Sequence, residues 1–178
     1  MDGQIILLQP LGSPLPQEVE ERLLGGIPLA FGLPAQIAEA LAAPGWALNG
    51  TRNQYQGAAL LRFLSAVEAP HARRLLGVLD RDAFTEGMNF IFGQAVIHGR
   101  NGFIALARLN PIYYNQEPDP ERFAEHALRE AVHELGHTFG LRHCPHDCVM
   151  RFANSLHEVD IRAPTFCPSC RTALDLQL

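Results

Sequence analysis

The 178-residue chain contains no lysine; all 14 of its basic side chains are arginine. This usage fits the codon composition of a GC-rich genome, and arginine in place of lysine is too weak a signal to set a working temperature. Positive charge is not in excess: 19 acidic residues against 14 basic ones give a formal net charge of −5. That excludes an overall basic field for nucleic acid or anionic lipid. Long apolar runs are missing as well. Ile5–Leu8 is a run of only four residues, far short of a signal-peptide core or of the roughly 20 residues that span a bilayer. The start, Met1-Asp2-Gly3, carries no basic cluster. A cytoplasmic protein without nucleic-acid or membrane partners is expected. No internal repeat or low-complexity linker divides the chain, so residues 1–178 are expected to form a single domain. At 47% apolar residues it has enough to bury a sizeable core.

Cysteine is scarce, and its placement is informative. Cys144, Cys148, Cys167 and Cys170 form a C-x3-C pair and a C-x2-C pair separated by eighteen residues. Two close pairs across a loop are the pattern of a closed four-thiolate zinc site. Two disulfides or free thiols fit the same spacing, but disulfides are rare in the cytosol.

Immediately before the first cysteine stands His133-Glu134-Leu135-Gly136-His137-Thr138-Phe139-Gly140-Leu141-Arg142-His143, an HExxHxxGxxH run. On a helix, residues four apart share a face, so His133 and His137 can offer two imidazoles to one ion. Glu134 lies one step round the helix, beside the ion without ligating it. Gly140 tolerates positive φ, ends the helix and turns the chain, which lets His143 return as a third ligand. Three protein ligands leave one position on zinc for water, the mark of a catalytic site.

The segment from His133 to Cys170 resembles the archaemetzincin family of small, metzincin-like zinc metalloproteases. The residues that match its extended signature are His133, Glu134, His137, Gly140, His143, Cys144, Cys148, Met150, Cys167 and Cys170. Two spacings are each one residue shorter than the family pattern: three residues between Cys144 and Cys148, and sixteen between Met150 and Cys167. His146 falls in the shortened loop, as an exposed side chain or a substitute ligand. The resemblance implies a zincin/metzincin-like α/β fold and two zinc ions per chain, one catalytic on the histidines and one structural on the cysteines. It places Met150 in a methionine turn beneath the histidines; by composition alone Met150 is an apolar core residue. It also implies hydrolysis of peptide or protein substrates, with Glu134 taking the proton of a zinc-activated water and handing it to the leaving amine. A zinc amidohydrolase for non-peptide amides, and a zinc-stabilised binding protein with an inactive site, are the competing readings.

Around this motif the patterning predicts alternating strands and helices, hence a mixed twisted sheet. Strands are expected at Gln4–Leu8, Pro28–Leu33 and Arg74–Leu79, with a hairpin of Asn89–His98 and Gly102–Leu109. Helices are expected at Gln17–Leu24 and at Arg52–Val67 behind a Thr51 cap, and Gln36–Ala42 reads as a short helix or a loop. The motif helix should run from Pro120 to Phe139, capped by Asp119, with Phe123, Ala124, Ala127, Leu128, Ala131, Val132, Leu135 and Phe139 as its buried stripe. On that helix His126 should face solvent or bond within the helix, and Glu130 should either orient a ligand or lie exposed. Residues 1–140 would form an N-terminal lobe and 141–178 a small loop-rich lobe with a short helix near Asn154–Asp160. Gly93–Gly99 is a candidate edge strand for pairing with an extended substrate. Tyr113 and Tyr114 read as packing residues, with an auxiliary phenol near the oxyanion as the alternative.

Overall fold

The elements of the computed structural model, which describes residues 5–178, are in chain order β1 (Ile5–Leu11), α1 (Gln17–Phe31), β2 (Ala35–Ile37), β3 (Leu48–Asn49), β4 (Gln54–Gln56), α2 (Gly57–Ser65), β5 (Ala72–Leu79), β6 (Ala83–Phe84), β7 (Gly93–Ala95), β8 (Asn101–Ala105), α3 (Pro120–Thr138), α4 (Leu156–Ile161) and α5 (Pro168–Asp175). Residue 4 of the predicted first strand lies outside the described residues. The main sheet has the order β2-β1-β5-β8-β7. Its first four strands run parallel, and β7 closes one edge antiparallel to β8. A small sheet, β3-β4-β6, stands beside it.

Strand β5 shows why the layers form. Leu75, Leu76, Val78 and Leu79 are all fully buried, and successive side chains point to opposite faces. Leu76 and Val78 join Ile6, Leu8 and Ile104 under α1 and α3. Leu75 and Leu79 join Phe103 with Leu60 and Leu64 of α2 on the other face. Parallel strands covered on both sides read as continuous apolar runs for this reason.

Several expectations need correction. Pro28–Leu33 is not a strand: α1 continues through Pro28 to Phe31 and stops at Gly32, where φ is +65° and the amide donates to Pro28 O at 2.8 Å. The buried residues Val19, Leu23, Ile27 and Phe31 recur every four positions and lie against α3. A Cβ on Gly26 would overlap Leu128, so glycine there sets how closely α1 and α3 approach. The strand instead falls at Ala35–Ile37, overlapping the start of the segment expected as helix or loop. Helix α2 begins at Gly57 rather than Arg52 because Gln54 and Tyr55 are drawn into the small sheet. Tyr55 pairs with Leu48 and Ala83, and the Gln54 amide donates to Asp82 at 2.9 Å and Asn89 O at 3.0 Å. The hairpin forms, but only as β7 and β8, and Ala107–Leu109 is a 3-10 turn. Helix α5 was not foreseen.

Candidate active site

Helix α3 starts as its sequence dictates: Asp119 accepts from the Arg122 amide at 3.0 Å, and Pro120 takes the first helical position. Its end is a Schellman turn. Gly140, at φ +93°, donates to His137 O at 2.9 Å, and Leu141 donates to Gly136 O at 3.0 Å. The chain then doubles back and places His143 beside the other two histidines. Ring centroids are 4.7 Å apart for His133–His137, 4.9 Å for His137–His143 and 5.3 Å for His133–His143.

The hydrogen bonds fix which ring atom each helical histidine offers. His133 Nδ1 donates to Val149 O at 2.8 Å, and His137 Nδ1 donates to Leu141 O at 2.7 Å. Burial, the largest cause in each case, holds the pKa of His133, His137 and His143 below the usual histidine value. In neutral rings with Nδ1 committed as donor, Nε2 carries only a lone pair. Yet the two Nε2 atoms lie 3.1 Å apart. Two facing lone pairs at that distance repel unless a cation sits between them. Ligands about 2.0–2.1 Å from a tetrahedral zinc are about 3.3–3.4 Å from each other, so the residues fit that ion.

Glu134 is buried, and its Oε2 has no hydrogen-bond partner among the described residues. Burial raises its carboxyl pKa well above the usual range, and the negative charge of Glu130 adds to the effect. The carboxylate packs on β7: a Cβ built on Gly93 would stand 2.8 Å from Glu134 Oε1. Helix α3 and β7 thus form facing walls of a cleft of about 460 Å³, whose lining includes Phe92, Ile97, His143 and Phe152. Of the predicted edge segment Gly93–Gly99, only Gly93–Ala95 is strand. It lies at the sheet edge and borders the cleft. Tyr113 and Tyr114 do not line this cleft.

The four cysteine sulfurs converge within 4.8 Å of one another, and His146 is exposed outside the set. Cys144 Sγ and Cys167 Sγ are 3.8 Å apart, which is no disulfide but is the edge, about 3.8 Å, of a tetrahedron with zinc–sulfur bonds of about 2.3 Å. Cys148 Sγ accepts from the Cys167 amide at 3.3 Å and the Met150 amide at 3.5 Å. The Ser169 hydroxyl, then the Cys170 amide, bring Cys167 down to about 6. This cluster is tied to the histidines through short stretches of backbone. Cys144 follows His143, and Cys148 precedes the Val149 carbonyl that holds His133. Met150 is fully buried, with its Sδ where a Cβ on Gly136 would fall.

His126 sits differently from expectation, and of the two readings of Glu130 the exposed one fails. His126 is not at the surface: it is 1% exposed, with Nδ1 2.7 Å from Leu109 O and Nε2 2.6 Å from Asp160. Glu130 is not exposed either; its Oε1 accepts from Arg162 at 2.5 Å with both side chains buried. Arg162 is a site residue that sequence reading missed, because its partner is 32 residues away and no local pattern marks it.

The model of a family described as peptidase family M54 matches residues 32–176. The archaemetzincin of Methanopyrus kandleri is 43% identical over 136 residues, covering 76% of this chain and 74% of that protein. The archaemetzincin of Archaeoglobus fulgidus is 34% identical over 169 residues, 95% of this chain and 98% of that one. Crystal structures agree. The Methanopyrus kandleri archaemetzincin superposes with a TM-score of 0.87 over 98% of this chain and 95% of that chain, at 34% identity. The Archaeoglobus fulgidus archaemetzincin, complexed with malonate, gives 0.82 over 95% and 99%, at 33% identity.

Proposed function

Because the chain belongs to peptidase family M54, the archaemetzincins, and is therefore a zinc metallopeptidase acting on peptides or proteins, we propose that His133, His137 and His143 hold the catalytic zinc and that Glu134 is the general base. The observation that carries this reading is the pair of Nε2 atoms turned toward each other while both Nδ1 atoms are committed to backbone carbonyls. Family membership supports this reading over the non-peptide hydrolase and the inactive binding protein.

When bound, zinc supplies a Lewis acid that acidifies a water to a pKa of about 7 and polarises the scissile carbonyl. The rest falls to the chain. Val149 O and Leu141 O hold two imidazoles in the ligating tautomer and orientation. Glu134 Oε2, with no hydrogen-bond partner among the described residues, accepts a proton from the attacking water. The same carboxyl then returns that proton to the leaving amine. An extended substrate lies along β7, the sheet edge that borders the cleft, and adds a strand to it. Cys144, Cys148, Cys167 and Cys170 hold a second, structural zinc, with Met150 packed under the first site.

Glu134→Gln tests the assignment. It keeps size and burial but cannot accept the proton, so kcat should drop on the order of 10²–10⁴-fold while histidine-site zinc stays bound. A Gln variant cleaving a reporter peptide at near wild-type rate removes Glu134 from the role.

A further inference from the structure

The cleft is bounded from beneath by a charge pair that the chemistry above does not use. Arg162, at the end of α4, and Glu130, on α3 one turn before His133, are 1% and 4% exposed at their side chains. Arg162 Nη2 donates to Glu130 Oε1 at 2.5 Å, and Nη1 donates to Arg151 O at 3.1 Å. The same Nη1 packs 3.4 Å from His133 Nδ1. Since that Nδ1 gives its proton to Val149 O, the contact places the guanidinium against the imidazole rather than bonding to it. One side chain therefore touches the active-site helix, the carbonyl following Met150 and the ring of a metal ligand.

A buried ion pair is a poor stability device, because the cost of desolvating two charges rivals their attraction. Stability alone is therefore a weak reason for this pair. Its geometry supplies another: a planar guanidinium bonds in two directions from a rigid fork, which an ammonium or an apolar side chain cannot reproduce. We propose that Arg162 is a positioning residue of the catalytic site. Anchored by Glu130, it fixes the Val149–Arg151 turn, and through Val149 O and direct packing it sets the orientation of His133. The inference rests on the metal-site reading of the three histidines and adds the group that orients one of them.

The test uses the full chain with its cysteine site loaded, and cobalt(II) as probe, because thiolate and imidazole sites give distinct visible spectra. Arg162→Met alone strands a buried carboxylate, so it is paired with Glu130→Leu/Arg162→Met, which removes both charges and keeps the volume filled. Outer-sphere partners of metal-bound histidines typically carry about 10–100-fold in affinity or activity. The double variant should keep its melting temperature and the thiolate-site spectrum. It should bind cobalt at the histidines about 10–100-fold more weakly and, with metal saturating, lose kcat while KM for a reporter peptide barely moves. Arg162→Lys, which keeps one bond to Glu130, should recover only part of the loss. A folded double variant with wild-type cobalt affinity and kcat overturns the proposal, as does an equal rise of KM with unchanged kcat. His133→Ala run in parallel separates the two readings. If it also keeps the imidazole-site spectrum, the metal site itself is misassigned; if it loses the spectrum while the double variant binds cobalt with wild-type affinity and keeps kcat, only the role of Arg162 falls.

Discussion

Gly93 is the position where one methyl group should disable the enzyme without replacing a titratable residue. A Cβ there would stand 2.6 Å from Phe103 O, 2.7 Å from Glu134 Cγ and 2.8 Å from Glu134 Oε1. Restoring an ordinary 3.4 Å contact to the carbonyl requires about 0.8 Å of movement, from 3.4 less 2.6. Phe103 is fully buried in β8, an internal strand of the main sheet, so its backbone has little room. The yielding parts are β7, which would shift along the cleft wall, and the Glu134 side chain, which would rotate off its present line. Either motion displaces the proposed base or the substrate edge by most of an ångström. Misplacement of that size costs on the order of 10²-fold in rate, and overpacking a tight contact costs about 1–3 kcal/mol of stability. The assay is kcat/KM on a quenched fluorescent peptide, with zinc per chain and melting temperature measured on the same sample. Gly25→Ala is the matched control. Gly25 lies within α1 with nothing within 4 Å of its added Cβ, so the change should leave activity alone and stabilise the helix by up to about 1 kcal/mol. If Gly93→Ala keeps activity within about threefold at full zinc occupancy, the tight seat of Glu134 against β7 is not what holds the base in place.

Gly140→Ala meets both a φ of +93° and the ring of His98; a loss of about 1–3 kcal/mol and weaker retention of histidine-site zinc are expected in thermal melts and chelator competition. Stripping the metal proposed at the cysteines with a thiol-selective reagent should lower activity and loosen the ion proposed at the histidines, because Cys144 adjoins His143 and Cys148 adjoins Val149; unchanged turnover after verified loss of one zinc per chain disproves the coupling. The Asp160 carboxyl is held down to about 2, chiefly by the Arg122 hydrogen bond and next by His126. A carboxyl depressed in the folded state stabilises the protein above its unfolded pKa near 4, and that contribution is lost as pH falls through 4 toward 2. Its full size would be about 2 kcal/mol, cut to about 1 because the side chain is 28% exposed. Asp160→Asn should therefore lower stability at neutral pH and flatten its decline between about pH 4 and 2, read from urea midpoints; parallel wild-type and variant curves would show that the clamp of α4 on α3 does not depend on this charge.

What could be read from the chain alone was whatever depends on near neighbours in sequence. The Asp119 cap, the Pro120 start, the four-residue step from His133 to His137 and the Gly140 turn all act within a few positions, and each lies where local chemistry puts it. The failures share the opposite property. Pro28–Leu33 reads as a strand, yet α1 runs through Pro28 because Val19, Leu23, Ile27 and Phe31 find α3 more than 90 residues later. Arg52–Gln56 had helical patterning, yet Gln54 answers to Asp82 and Asn89. His126 looked like a surface histidine because nothing within one turn of it reveals Asp160. The active site is divided along the same line. Its proposed donors are a local motif, but the groups packed against them are distant. Val149 O faces His133 across sixteen residues, Arg162 reaches Glu130 across 32, and Gly93 makes room for Glu134 from a different strand. A motif therefore specifies which atoms can do the chemistry, while their pointing directions are properties of the packed fold. Hence the variants that best test this site, at Gly93 and Arg162, lie outside the motif that announces it.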